Sequence, residues 1–165
     1  MDSFDDRDEG NRDDELERLY RRFSSVDKVW EVWRVRTFLD RLVEEADRSQ
    51  RYNHFFSVLV VRARKQQAEE VYRRLKGQLR RSDMMEILPA SPAWEQAEVE
   101  PEVPLPEGTE VAAILPETNR AGAKAAVERL RTFLVNAGSV GFGLAVFPDD
   151  GTDGRQLLRK ADAAA

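Results

Sequence analysis

Apolar residues recur along the chain with two periods, and the switches between them mark the elements. From Val32 to Tyr52 they fall at Val32, Val35, Phe38, Leu39, Leu42, Val43 and Ala46, the spacing of a helix with one core-facing stripe. Phe55–Val61 is almost continuously apolar and rich in β-branched residues, the pattern of a central strand covered on both faces. Arg62, Ala63, Arg64 and Lys65 interrupt it. Gln66–Arg81 returns to the helical period, with Ala68, Val71, Leu75 and Leu79 inward and arginines outward. Met84–Leu88 and Val111–Leu115 read as two strands of a hairpin.

The stretch joining those strands, Pro89 to Glu110, is rich in proline and glutamate. Proline lacks a backbone donor and resists pairing, so this connection is expected to be a long, mobile loop without chemistry of its own. Arg120–Asn136 is helical, with Ala123, Ala126, Val127, Leu130, Phe133 and Leu134 inward and Gly138 as a stop. Ser139–Phe147 is another buried strand, Pro148–Gly154 a turn, and a last helix runs through Leu157, Leu158 and Ala161. Upstream, Asp14–Phe23 has the pattern of a short helix and Asp27 that of a cap. After the leading helices the order is β-α-β-β-α-β-α. It predicts an α/β sandwich whose mixed central sheet is flanked by helices.

With 165 residues, 41% of them hydrophobic, the chain is the size of one domain with a real core. The charge is uneven. Met1–Glu17 holds nine acids against Arg7 and Arg12, a net of −7, while the total is −5. The remainder is therefore about +2, too little for general nucleic-acid binding. Residues 1–26 are expected to be an acidic, partly disordered leader, and 27–165 the domain. The absence of cysteine excludes disulfides, thiolate metal sites and a thiol nucleophile. No apolar run is long enough to span a membrane and the start is too acidic for a secretory signal, so a cytoplasmic protein is expected. Trp30 and Trp33 are expected to pack on the domain, with a homodimer or partner contact as the alternative.

Most isolated candidates have structural explanations. Asp149, Asp150 and Asp153 lack the ligand spacing of calcium loops and read as a capped turn. His54 is the only histidine and has no evident catalytic partner; Ser57 and Ser139 have no triad. Gly141 and Gly143 lie inside a strand and suit close packing. Arg80 and Asp83 differ. Three apart at a helix end, they can face one ligand, Arg forking onto guanine O6/N7 or phosphate and Asp accepting from guanine N1–H and N2–H.

The body of the chain resembles GGDEF domains, the diguanylate cyclase fold, in degenerate form. Asp27, Arg36 and Phe38 stand at the spacing of the family's opening motif. Phe56–Val61 resembles the first strand, Leu79–Asp83 the segment before the signature, and Ile114–Thr118 with Ala126–Arg131 the strand and helix after it. Val140–Ala145, Phe147–Gly151 and Leu157–Ala164 resemble the closing strand, turn and helix. The departures concern chemistry. Arg62 stands where the family has a metal-holding Asp, and a cation there would repel the ion. The nucleotide-contacting Phe-Lys-x-x-Asn-Asp-x-x-Gly-His stretch is missing around Arg64–Gln66. Six residues after Asp83, where the signature is due, Pro89, Ala90, Ser91, Pro92 and Ala93 appear instead. The resemblance therefore implies no diguanylate cyclase activity, no metal and no cofactor.

The same resemblance implies a second site. Arg80 and Asp83 match the family's Arg-x-x-Asp inhibitory motif for cyclic di-GMP, and Arg48 and Arg129 match its supporting arginines. The implied function is a non-catalytic cyclic di-GMP receptor acting on an unknown protein partner. The alternatives are a ligand-independent interaction scaffold and, more weakly, GTP sensing without turnover.

Overall fold

A computed structural model describes residues 31–64, 67–99, 105 and 108–165. The leader expected over 1–26, with Asp27 and Trp30, lies outside these residues.

The first helix among the described residues, α1, covers 31–52. It buries the stripe its sequence specifies, Val32, Val35, Phe38, Leu39, Leu42 and Ala46. Asn53 ends it in the left-handed conformation, φ 55°, which Asn tolerates better than most residues. Then follow β1 (Phe56–Arg62), α2 (Ala68–Lys76), β2 (Met84–Leu88), α3 (Gln96–Val99), β3 (Glu110–Pro116), α4 (Arg120–Phe133), β4 (Gly141–Phe147) and α5 (Gly154–Ala164).

The strands form one sheet in the order β2-β3-β1-β4. Where the sequence predicts a mixed sheet, all three pairings are antiparallel. The cause is interleaving: β1 and β2 run the same way, as do β3 and β4, but an opposed strand sits between each like-directed pair. β1 has a neighbour on both edges and is buried from Phe56 to Val61, which explains its unbroken apolar run.

Helices cover both faces. On one, α1 and α5 pack over Phe56, Val58, Val60, Ile114 and Phe147. On the other, Val71 and Leu75 of α2 and Val127 and Leu130 of α4 pack over Leu59, Val61, Val111 and Leu115. Phe133, expected inward on α4, is exposed, as is Trp33 on α1.

The connection expected to be mobile is docked along Ala93–Val99. Ala93–Glu95 forms a 3₁₀ turn that leads into α3. Trp94 is fully buried in the α1/α5 core, and Ala97 with it. Glu98 accepts two hydrogen bonds from Arg155 of α5, at 2.7 and 2.9 Å, and Glu95 pairs with Arg159. Prolines deny this stretch a place in the sheet, but one large aromatic supplies enough apolar area to anchor it.

Candidate ligand-binding groove

Arg80 lies in the turn between α2 and β2. Its guanidinium donates to Asp83 Oδ1 at 3.1 Å, to the Pro116 carbonyl at 2.9 Å and to Thr118 Oγ1 at 2.8 Å. The Asp83 carboxylate also accepts from the Arg80 backbone amide at 2.8 Å, closing a tight local turn. The pair therefore fastens the end of α2 to the end of β3, with Asp83 nearly buried and Arg80 half exposed.

Beside the pair opens a groove of about 350 Å³, within the usual size range for small-molecule sites. Phe55 and Leu79 give it apolar wall; Arg80, Asp83 and Arg129 give it polar groups. Arg129, on α4, reaches only the Gln78 carbonyl, at 3.4 Å, and has no ion pair among the described residues. The N-terminus of α4 borders the groove through Asn119, whose side chain caps the helix by accepting from Gly122 N at 2.8 Å. Arg48 is not in the wall. It stands at the rim, on α1, paired at 3.6 Å with Glu117, which does line the groove. His54 Nδ1 lies 3.8 Å from the same carboxylate oxygen.

A second charged cluster sits at the opposite end of β1. Arg62 donates to Glu110 Oε1 at 3.1 Å and to Asp162 Oδ1 at 3.0 Å, and to the Asp162 carbonyl at 2.7 Å. Ser91 N donates to Asp162 Oδ2 at 2.9 Å, tying the docked connection to α5. Both carboxylates are buried. One guanidinium can neutralise one of them, so they divide the charge. Burial, together with the hydrogen bond and repulsion from Asp162, pushes Glu110 up to about 8. Burial also works to raise Asp162, but hydrogen bonds from Glu110, the Ser91 amide and Arg62 outweigh it and hold its carboxyl below the ordinary range. The raised Glu110 and the lowered Asp162 favour placing the pair's negative charge on Asp162.

Solved structures share this architecture. The GGDEF domain of YfiN (TpbB) from Pseudomonas aeruginosa superposes with a TM-score of 0.60 at 20% identity, over 78% of this chain and 84% of that one. A sensory box/GGDEF protein from Caulobacter crescentus gives 0.55 at 18%, over 75% and 84%. The diguanylate cyclase SiaD of Pseudomonas aeruginosa, solved with its activator SiaC, gives 0.57 at 19%, over 98% and 70%. The chain has the GGDEF fold. No family sequence model matches it, and no curated protein does.

The GGDEF fold brings three of the four expected ligand residues, Arg80, Asp83 and Arg129, to one groove and leaves Arg48 at its rim. Arg62, at the position of the expected metal-holding Asp, is the hub of the carboxylate cluster. α2 begins at Ala68, close behind the end of β1 at Arg62.

The ladder gives a second way to count to the expected place of the signature. Counted forward from Asp83, its place is Pro89–Ala93; counted back from β3, it is the stretch that ends at Val111. Leu88 pairs with Glu110, and Thr109 N donates to the Leu88 carbonyl at 3.1 Å, so the hairpin closes at Gly108 and Thr109. Against the five letters that name the fold, Gly108 and Glu110 match the second and fourth, while Glu107, Thr109 and Val111 do not match. Gly108 is sterically required there, because a Cβ would come within 2.4 Å of Ile87 Cγ2. The two counts differ because the docked connection lies between β2 and β3.

Sequence reasoning also missed Phe55 and Glu117 as groove residues. The apolar run begins at Phe55, but Phe55 precedes β1 and is 41% exposed. Glu117 had only a helix-leading turn to mark it.

Proposed function

We propose that the protein is a GGDEF-fold domain that does not turn over GTP and that receives cyclic di-GMP in the groove at Arg80. The observation that carries this reading is the convergence of Arg80, Asp83 and Arg129, from the α2–β2 turn and α4, beside the apolar surface of Phe55. A cyclic dinucleotide offers phosphates for the guanidinium groups, guanine edges for Arg and the Asp83 carboxylate, and flat bases for Phe55. Arg48 supplies a further cation once Glu117 releases it.

The absence of turnover rests on the other end of β1. Phosphoryl transfer depends on a divalent ion that neutralises the phosphates. Two observations support this: Glu110 and Asp162 are both paired with Arg62, and burial raises the Glu110 carboxyl, so neither is free to take up such an ion. On this reading Arg62 is a tethered cation in the ion's place.

Isothermal titration of cyclic di-GMP tests the receptor reading. Micromolar binding by the wild type, lost in Arg80→Ala, is expected. A flat titration at tens of micromolar ligand would remove it and leave the interaction scaffold, for which the exposed apolar residues Phe133 and Val135 at the end of α4 offer a surface. Cyclic di-GMP formed from GTP and Mg²⁺ by the purified protein would contradict the loss of turnover.

A further inference from the structure

We infer that Glu117 is a built-in competitor that weakens the groove's hold on anionic ligands, an inference that rests on the receptor reading and adds a control to it. The turn 116–119 fastens cationic arms on both of its sides. Its Pro116 carbonyl and Thr118 hydroxyl hold Arg80. Its Glu117 carboxylate stands 3.6 Å from Arg48 and 3.8 Å from His54 Nδ1. Glu117 adopts φ 52°, a conformation unusual for a side chain of its size, and this sets it at the corner between β3 and α4.

Three features make Glu117 a competitor rather than a structural brace. It lines the groove, so its charge faces any ligand there. Its side chain is 63% exposed and that of Arg48 50%, so their pairing is a weak surface contact that a better anion can replace. Its neighbours do not need it: the Thr118 carbonyl is held by Ser57 Oγ at 2.7 Å, and α4 is capped by Asn119. A phosphate arriving beside Arg80 and Arg129 must displace Glu117 from Arg48 or bind without that arginine. In either case it meets a like charge.

Glu117→Gln keeps the shape and removes the charge; Glu117→Asp keeps the charge. For cyclic di-GMP, Glu117→Gln is expected to bind about three- to tenfold more tightly than the wild type, the scale of one exposed ion pair plus one nearby like charge. Its affinity should also fall more steeply with added salt, because Arg48 is then free to contact phosphate. Glu117→Asp should stay near the wild type. The outcomes separate the two proposals. Wild-type binding with equal or weaker binding by Glu117→Gln overturns the competitor and leaves the receptor, since a carboxylate that helps would be accepting from the ligand's base. Binding by Glu117→Gln alone supports the competitor and denies the native chain a receptor role. Binding by neither protein overturns both.

Discussion

Arg62 and Glu110 are cross-strand partners, Cα opposite Cα on β1 and β3, and their side chains meet at 3.1 Å over a carboxylate that is almost wholly buried. Asp162 completes the cluster from α5. The cluster thus joins the central strand, the hairpin and the last helix at one point. It holds one positive and one negative charge only while Glu110 is protonated.

That condition predicts an alkaline limit to stability. Glu110 is raised from 4.5 to about 8, so the folded state holds a proton that the unfolded chain gives up. Its contribution is complete below the unfolded value and is lost as pH rises through the folded one. Asp162 is lowered and acts oppositely, its contribution present above its unfolded value of 3.8 and lost as pH falls through the lowered one. Between about pH 6 and about pH 9 the wild type should lose roughly 2 kcal/mol of unfolding free energy. Glu110→Gln, which mimics the neutral acid, should flatten this limb in thermal melts. An equally steep limb in the variant would show that Glu110 does not titrate as described.

Removing the cation itself leaves Asp162 buried without its ionic partner. Arg62→Ala should cost about 2 kcal/mol in urea unfolding, below the figure for a fully buried pair because the guanidinium is 47% exposed. An unchanged midpoint would refute the cluster's structural role.

Trp94 separates a docked connection from a mobile one. Its side chain is fully buried against α5, so Trp94→Ala should destabilise the domain by about 3–5 kcal/mol. A mobile loop would lose almost nothing, and a change within experimental error would restore that description.

Close approach of α5 to β4 makes a further demand. A Cβ at Gly143 would lie 1.7 Å from the Ala161 carbonyl oxygen, which is backbone and cannot step aside. Gly143→Ala should therefore displace α5 and cost at least about 2 kcal/mol. Wild-type stability in that variant would mean that helix and strand are further apart.

The fold was legible where one residue pattern had one structural solution. Phe56–Val61 could bury both faces only as a central strand, and the stripe from Val32 to Ala46 could serve only a helix. The antiparallel sheet was not legible, because spacing along the chain does not say which strand inserts between two others. Trp94 was hidden by its neighbours: the prolines around it excluded strand pairing but said nothing of an aromatic anchor. In the groove, Arg80 and Asp83 announced themselves by their spacing. Glu117 did not, since its position depends on a left-handed corner that no local signal marks.

Arg129 offers the most direct test of the central claim, because among the described residues its side chain holds only a 3.4 Å bond to the Gln78 carbonyl and its loss should leave the fold intact. The measurement is the affinity for cyclic di-GMP of the wild type and Arg129→Ala, with thermal melts confirming equal stability. A receptor of the kind described binds in the micromolar range and weakens by about 10- to 100-fold in the variant, the scale of charge-assisted hydrogen bonds. A wild type that does not bind, or a variant that binds equally well, would contradict it.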